Sequence, residues 1–349
     1  MLKVNAYTPG LDTPSGRYRV RQLIPYLEEL QIDVTEIYSR AGAFPPPEKA
    51  KHLIWAIKNI EENFFRVLSQ PGCDVTWLQR AMLSKYYTFE GFLKKPMVFD
   101  VDDAIFVDNG GDFAKKIARQ SQKIICGNSF LADYFLKYNK NVDVIPTAVD
   151  VSKYDAIEVD KTGRNIFYIL WTGTSSGYPF VYKIENVLKR IVKKYDFVRI
   201  KIVSNAPPQF SYLTGKEIIF EKWTPEIEFS SIKSADLGIM PINDDDLSRG
   251  KCSYKMLCYM AAKIPIVVSP FGMNKEVLGL GNIGYGAVTE DEWFDAFDQI
   301  ISSPQKQKEL SVNAYNVVLK NFDINVVAKQ VSKSLIGTTD KMSIESKML

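Results

Sequence analysis

The chain predicts a doubly wound α/β protein built from two Rossmann-like halves. Three observations carry this. Apolar runs of strand length alternate with amphipathic runs of helix length along nearly the whole sequence. The pattern breaks once, at the polar and unpatterned stretch VSKYDAIEVDKTGRN of residues 151–165, and then starts again. The length, 349 residues, exceeds what one ordinary core takes. The expected division is 1–155 for an N-terminal domain, 156–325 for a C-terminal domain and 326–349 for a last helix and tail.

The first half opens with LKVNAYTP as a strand, GLDTPSGRYR as a turn-rich loop, and Val20, Leu23, Ile24, Leu27 and Leu30 at helical spacing. IDVTEIY is a second strand, and AFPPPEKA is a break that its prolines impose. A helix pattern follows over residues 48–69. It mixes lysines with Leu53, Ile54, Trp55, Ile57, Ile60, Phe64 and Phe65. A membrane surface could take such a helix, but Glu61 and Glu62 weaken its basic face, so core packing is preferred. CDVTWLQR, PMVFDVDDAIF and KIICGNS are strands, and AKKIARQSQ and SFLADYFLKY are helices, the second with Ser129 as N-cap. In the second half IFYILWTG, VRIKIVS, EIIFEKWT, DLGIMPI, IPIVVSP and YGAV read as strands, with helices between and after them. The final TTDKMSIESKML is expected to be disordered.

Composition narrows the function classes. A net charge of +3 is weak for a protein that lives on nucleic acid, so no nucleic-acid partner is expected. Four scattered cysteines and one histidine, His52, build no zinc constellation, and free thiols fit a reducing cytoplasm. The N-terminus shows no signal-peptide pattern and no apolar run spans a bilayer. A cytoplasmic location is expected, with the inner face of the membrane as the place for any peripheral contact.

Five stretches could carry chemistry. GLGNIG at 279–284 matches a dinucleotide fingerprint, but a helix precedes it and a strand follows, so it is a loop. Asp100, Asp102 and Asp103 end an apolar strand, where they could hold a metal, act as acid or base, or merely bind backbone. Gly16, Arg17 and Arg19 stand between the first strand and helix as an anion-facing loop or as solvated arginines. WTGTSSG, with Thr172, Gly173 and Thr174, offers small residues and backbone donors to a phosphate or sugar. SRGKCSYK is the most informative. A helix starting near Lys251 or Cys252 would aim its N–H groups and Arg249, Lys251 and Lys255 at one diphosphate, with both lysines on one face.

VFDVDDAIF, KIICGNSFLADYF, VDVIPTAVDVSKY, LWTGT, SADLGIMPI and above all SRGKCSYKMLCYMAAKIPIVVSPFGMNKEV resemble, in order and spacing, the GT-B glycosyltransferases of family 4. The resemblance covers roughly residues 2–335. It implies two Rossmann-like domains facing across a cleft, nucleotide sugar on the C-terminal one, acceptor on the N-terminal one, and a last helix that returns to the first domain. It implies a retaining transfer from a nucleotide-diphosphate sugar to a glycan, lipid-linked or protein-linked acceptor. The nucleotide sugar is then a substrate, and no cofactor or metal is expected.

Residue by residue, it puts Arg249, Lys251 and Lys255 on the diphosphate, with Thr172, Gly173, Thr174 and Ser253 lining the donor. Trp223 and Thr224 lie beside the base, Asp102 ahead of Asp103 at the reacting hydroxyl or sugar, and Gly16, Arg17 and Arg19 on the N-terminal side of the donor. The chain departs from the family in two places. The paired glutamates fall on Gly250 and Cys258, and WTGTSSG lacks the usual arginine and lysine of the phosphate clamp. A binding protein without turnover and a sugar-nucleotide epimerase are the alternatives.

Overall fold

A computed structural model describes residues 1–42, 45–46, 48–107 and 111–345, with side chains through 339. The proline break therefore falls partly outside the described residues. Contacts divide the chain into two domains. The first comprises Met1–Ala148, Arg249–Cys252 and Ile324–Leu349, and the second Val149–Ser248 and Ser253–Asp323.

The first domain holds β1 (Leu2–Thr8), α1 (Ile24–Glu29), β2 (Ile32–Tyr38), α2 (His52–Leu68), β3 (Val75–Gln79), β4 (Met97–Val101), α3 (Asp112–Gln120), β5 (Lys123–Cys126), α4 (Ser129–Phe135) and β6 (Val142–Val144). The strands form one parallel sheet in the order β2-β1-β3-β4-β5-β6. β3 and β4 are buried at every position, as their unbroken apolar runs require in a sheet covered on both faces. Asn128, not Ser129, caps α4, accepting from the Leu131 N–H with its side chain. The amide reaches this first-turn donor from an extended backbone, which Ser129 inside the helix cannot do.

The second domain holds α5 (Val151–Asp155), β7 (Phe167–Thr172), α6 (Tyr178–Tyr182), α7 (Glu185–Lys194), β8 (Val198–Ser204), β9 (Ile218–Lys222), α8 (Glu228–Lys233), β10 (Leu237–Met240), α9 (Asp246–Arg249), α10 (Tyr254–Ala261), β11 (Ile266–Val268), α11 (Met273–Leu278), β12 (Gly284–Gly286), α12 (Glu290–Ile301) and α13 (Pro304–Asn321). Its parallel sheet runs β12-β11-β10-β7-β8-β9. The loop GLGNIG lies between α11 and β12, as its flanks predict. A Thr289–Glu292 capping box starts α12, and Ser303 with Pro304 starts α13.

α14 (Ile324–Glu345) belongs to the first domain. Its Ile324, Val327, Ala328, Val331 and Leu335 join Val4, Leu27, Trp77 and Val98 in one buried cluster. The helix continues into the stretch expected to be disordered, and 346–349 lie outside the described residues.

α2 reverses the expected packing. Its buried residues are Asn59, Asn63 and Arg66, while Leu53, Ile54, Ile57, Ile60, Phe64, Phe65 and Leu68 are 48–71% exposed. The polar side is inward because it has hydrogen bonds to make. Arg66 donates to Thr8 O, Ile37 O and Asn63 Oδ1, and Asn63 donates to Met82 O. Glu62 accepts from the Ala41 N–H at 2.8 Å, and Trp55 Nε1 donates to Ala41 O. The helix thus closes the carbonyls at the ends of β1 and β2 with side chains.

Candidate functional site

In a parallel sheet every carboxyl end lies on one edge, and ligands gather where the winding direction reverses. In the first domain that point lies between β1 and β3; in the second, between β7 and β10. The sequence-predicted residues fall largely at these two places.

At the first switch point, charged side chains pair with one another. Arg19, at the end of a π-helical turn over Gly16–Val20, is buried. Its Nε donates to Asp100 Oδ1 at 3.0 Å and its Nη1 to Ile145 O at 2.8 Å. Asp100 also accepts from Trp77 Nε1. Arg19 is therefore an interior ion-pair residue, and the expectation that it faces an anion is corrected: burial and the Asp100 partner turn it inward. Arg17 is half-buried, with its guanidinium 4.9 Å from the Tyr18 ring centre. Gly16 opens the turn, beside the Thr13 hydroxyl that donates to Gly10 O.

Asp102 and Asp103 share Arg80. Arg80 Nε donates to Asp102 at 2.7 Å, and its Nη2 lies 3.4 Å from Asp103. Gln79 adds a bond to Asp102, and the Ala104 N–H donates to Asp103 Oδ1. The two carboxyls are pushed apart. Burial raises the Asp102 carboxyl, but the charge and hydrogen bond of Arg80, with a bond from Ser15, outweigh it and hold Asp102 below the usual range. Burial dominates for Asp103 and raises it, against the pull of Arg80 and Lys251. Asp103 is also the more open of the two, with its side chain 32% exposed against 12%. Arg80 was not singled out from the sequence, although its place just past an apolar strand was a usable signal.

The stretch SRGKCSYK does not form one helix mouth. α10 starts at Tyr254, so Lys251 lies outside it and the two lysines do not share a helical face. The reason is Ser253, whose backbone is left-handed at φ 50° and breaks the run. The Ser253 hydroxyl donates to Asn274 Oδ1 at 2.6 Å inside the second domain. Arg249–Cys252 belong to the first domain. There Asn128 Nδ2 donates to Arg249 O and Lys251 O, and the Cys252 thiol to Asp102 O. Burial, aided by the nearby Asp102 charge, pushes the Cys252 thiol up to about 12, so it is not a nucleophile. Gly250 packs against the backbone of Ala104, where a Cβ would stand 2.5 Å from the Ala104 Cβ and 2.7 Å from its nitrogen. No side chain fits there.

At the second switch point small residues meet one ammonium. β7 ends at Thr172, whose N–H donates to Tyr259 Oη of α10 at 3.0 Å. Gly173 follows at φ 154°, and a Cβ on it would lie 2.5 Å from Lys255 Cε and 3.0 Å from Lys255 Nζ. The Lys255 ammonium also stands 5.3 Å from the Trp171 ring centre. Glycine at 173 thus leaves room for Lys255 to lie against the backbone at the head of β7. Beside it the Ser175 N–H is held by Asn205 Oδ1, and the Thr174 and Ser176 hydroxyls bond each other. Trp223 and Thr224 leave β9 on the same edge, two strands away or about 10 Å. Cys258 is buried within α10 and presents no carboxylate.

No protein-family model matches the chain, and no curated protein sequence is similar to it. Solved structures are. Sucrose-phosphate synthase from Thermosynechococcus elongatus superposes with a TM-score of 0.67 at 12% identity, over 99% of this chain and 100% of that one. HepE from Anabaena, in complex with UDP and glucose, gives 0.66 at 14% identity over 97% and 100%. A glycosyltransferase from Rickettsia africae gives 0.63 at 13% over 96% and 98%. These likenesses establish the fold, which is GT-B: two parallel six-stranded α/β domains in one chain.

Proposed function

We propose that the chain is a retaining glycosyltransferase of the family 4 kind, moving a sugar from a nucleoside-diphosphate donor to a glycan, lipid-linked or protein-linked acceptor. The observation that carries this reading is the second switch point. Lys255 and the backbone of Thr172 and Gly173 offer a cation and close backbone approach at the head of β7, and Trp223 and Thr224 follow β9 on the same edge of the sheet. That series suits a diphosphate followed by a nucleoside. HepE, a neighbour of the same fold, binds UDP and glucose, which supports a uridine nucleotide as the first donor to try.

In this reading the acceptor hydroxyl oxygen attacks the anomeric carbon from the face that the diphosphate leaves. The bond from that carbon to the phosphate oxygen breaks, and the hydroxyl proton passes to the departing oxygen. Lys255 stabilises the charge that develops there. Arg249 and Lys251 are proposed as further donor cations. Asp103 is a better candidate than Asp102 for the acceptor hydroxyl, because Arg80, Gln79 and Ser15 already occupy Asp102 while Asp103 is more exposed.

The closed space at Gly250 and the buried Cys258 favour one alternative, a chain that binds donor without turning it over. A panel of UDP-, GDP-, dTDP- and CMP-sugars separates the readings. Thermal shift gives binding, and product analysis gives transfer or slow donor hydrolysis. Binding with no product over long incubation favours the alternative, and an altered sugar would mark an epimerase. A shift from none of the four overturns the donor site.

A further inference from the structure

The outward face of α2 has no task in either domain described above. Seven large apolar side chains lie on it, at positions 53, 54, 57, 60, 64, 65 and 68, and these recur at helical spacing on one side, with the exposed Glu61 set among them. The inner face is held by the bonds of Arg66, Asn63, Glu62 and Trp55, so the helix cannot roll over to bury them without leaving buried polar groups unpaired. The apolar surface continues beyond the helix. Phe64 packs edge-on against Phe89, and Phe92, whose carbonyl accepts from Gln70 just past the helix, is exposed. Soluble surfaces rarely keep an apolar stripe of this kind without a use.

The charges around the stripe are mostly of one sign. Lys49, Lys51 and Lys58, on and just before the helix, and Arg40, whose N–H donates to Glu62, are exposed. Against them, among the described residues of these segments, stand Glu48, which pairs with Lys51 at 3.3 Å, and Glu61, three positions from Lys58. Glu62 is taken up by Ser39 and by the N–H groups of Arg40 and Ala41. A second copy of the chain docked through this face about a two-fold axis would press two faces with the same excess of cations together. A surface of negative charge over an apolar interior would complement both features at once. Among the described residues no helix is long and apolar enough to cross a membrane, so such a contact lies along the surface.

We infer that α2 is a membrane-docking helix, lying in the interface of an anionic bilayer with Leu53, Ile57, Ile60, Phe64 and Leu68 downward and lysines at the headgroups. The inference stands on the helix alone and does not depend on the transferase reading. The test is flotation of the full chain with vesicles of phosphatidylcholine, with and without phosphatidylglycerol. Wild-type protein is expected to float with the anionic vesicles and to be released by high salt. The double substitution Ile57→Gln, Phe64→Gln is expected to weaken binding by at least about tenfold with an unchanged melting temperature, since both positions face outward. Lys49→Gln, Lys51→Gln, Lys58→Gln keeps the apolar stripe and should also lose most anionic binding, which serves if the double variant folds poorly. Wild-type protein that stays at the bottom of the gradient overturns the inference, as does a double variant that floats equally well. A concentration-dependent dimer in sedimentation, lost in the double variant, would give this face to a second copy and overturn it too.

Discussion

The two switch points occupy equivalent places in two sheets of similar build, yet they are filled in opposite ways. In the first domain the strand ends are closed by charge pairs, Arg19 with Asp100 and Arg80 with Asp102 and Asp103. In the second, Thr172, Gly173 and Thr174 keep the strand end small and let one lysine lie over it. The same topological position can be closed by charge pairs or left small around a single cation. Side-chain volume and the balance of charge decide which.

Removing one partner of a closed pair should give the largest effect. Arg19→Met leaves Asp100 buried without its cation, and about 3–5 kcal/mol of stability should be lost in urea unfolding followed by tryptophan fluorescence. A loss under 1 kcal/mol would mean that the pair is not the anchor described here. Next comes the ligand side of the contrast. Lys255→Ala should weaken donor-nucleotide binding by about tenfold to a hundredfold in calorimetry, the worth of a charge-assisted bond, with little change in stability. Gly173→Ala should approach that loss by displacing the Lys255 side chain. Unchanged affinity in both would move the donor elsewhere.

Smaller effects separate the two carboxyls under Arg80. Because the folded protein holds Asp102 below its unfolded value near 4, its contribution is fully present above that pH and fades as the pH falls through the depressed folded value. The stability gap between wild type and Asp102→Asn should therefore be constant above about pH 5 and close in acid. A gap independent of pH would remove Asp102 from the pair. Asp103→Asn should leave stability nearly intact and lower turnover by roughly tenfold, in keeping with its weaker bond and greater exposure. Full turnover would make it a surface group.

Much of this was legible in the sequence. Parallel strands buried on both faces must be Val- and Ile-rich, so VRIKIVS and IPIVVSP could be little else. The grouping of Lys255 with Thr172, Gly173 and Thr174 came from the family resemblance, and Lys255 does lie against Gly173. Arg17 and Arg19 look alike in sequence, and partners far along the chain, Asp100 eighty-one positions away and the Ile145 carbonyl 126 away, turn Arg19 inward. Helical periodicity said that α2 has two faces but not which one the sheet would claim. The spacing of Asn59, Asn63 and Arg66 held the answer, as a polar stripe fit to cap strand ends, yet burial of polar residues is the less common choice. The left-handed Ser253 that divides SRGKCSYK carries no signal in a residue type that helices often use as a cap.

The placement of α14 has a consequence for how the protein is made. The first domain's core takes Ile324, Val327, Ala328, Val331 and Leu335 from the end of the chain. All of Val149–Asp323 must be synthesised before those side chains exist. At about 5–20 residues per second, the domain that starts first waits on the order of ten to thirty seconds with the stripe around Val4, Leu27 and Trp77 uncovered. The second domain can close during that wait. A chain stopped anywhere before Ile324 would release its N-terminal domain with that apolar groove open, a state that a chaperone or a protease can tell from the finished molecule.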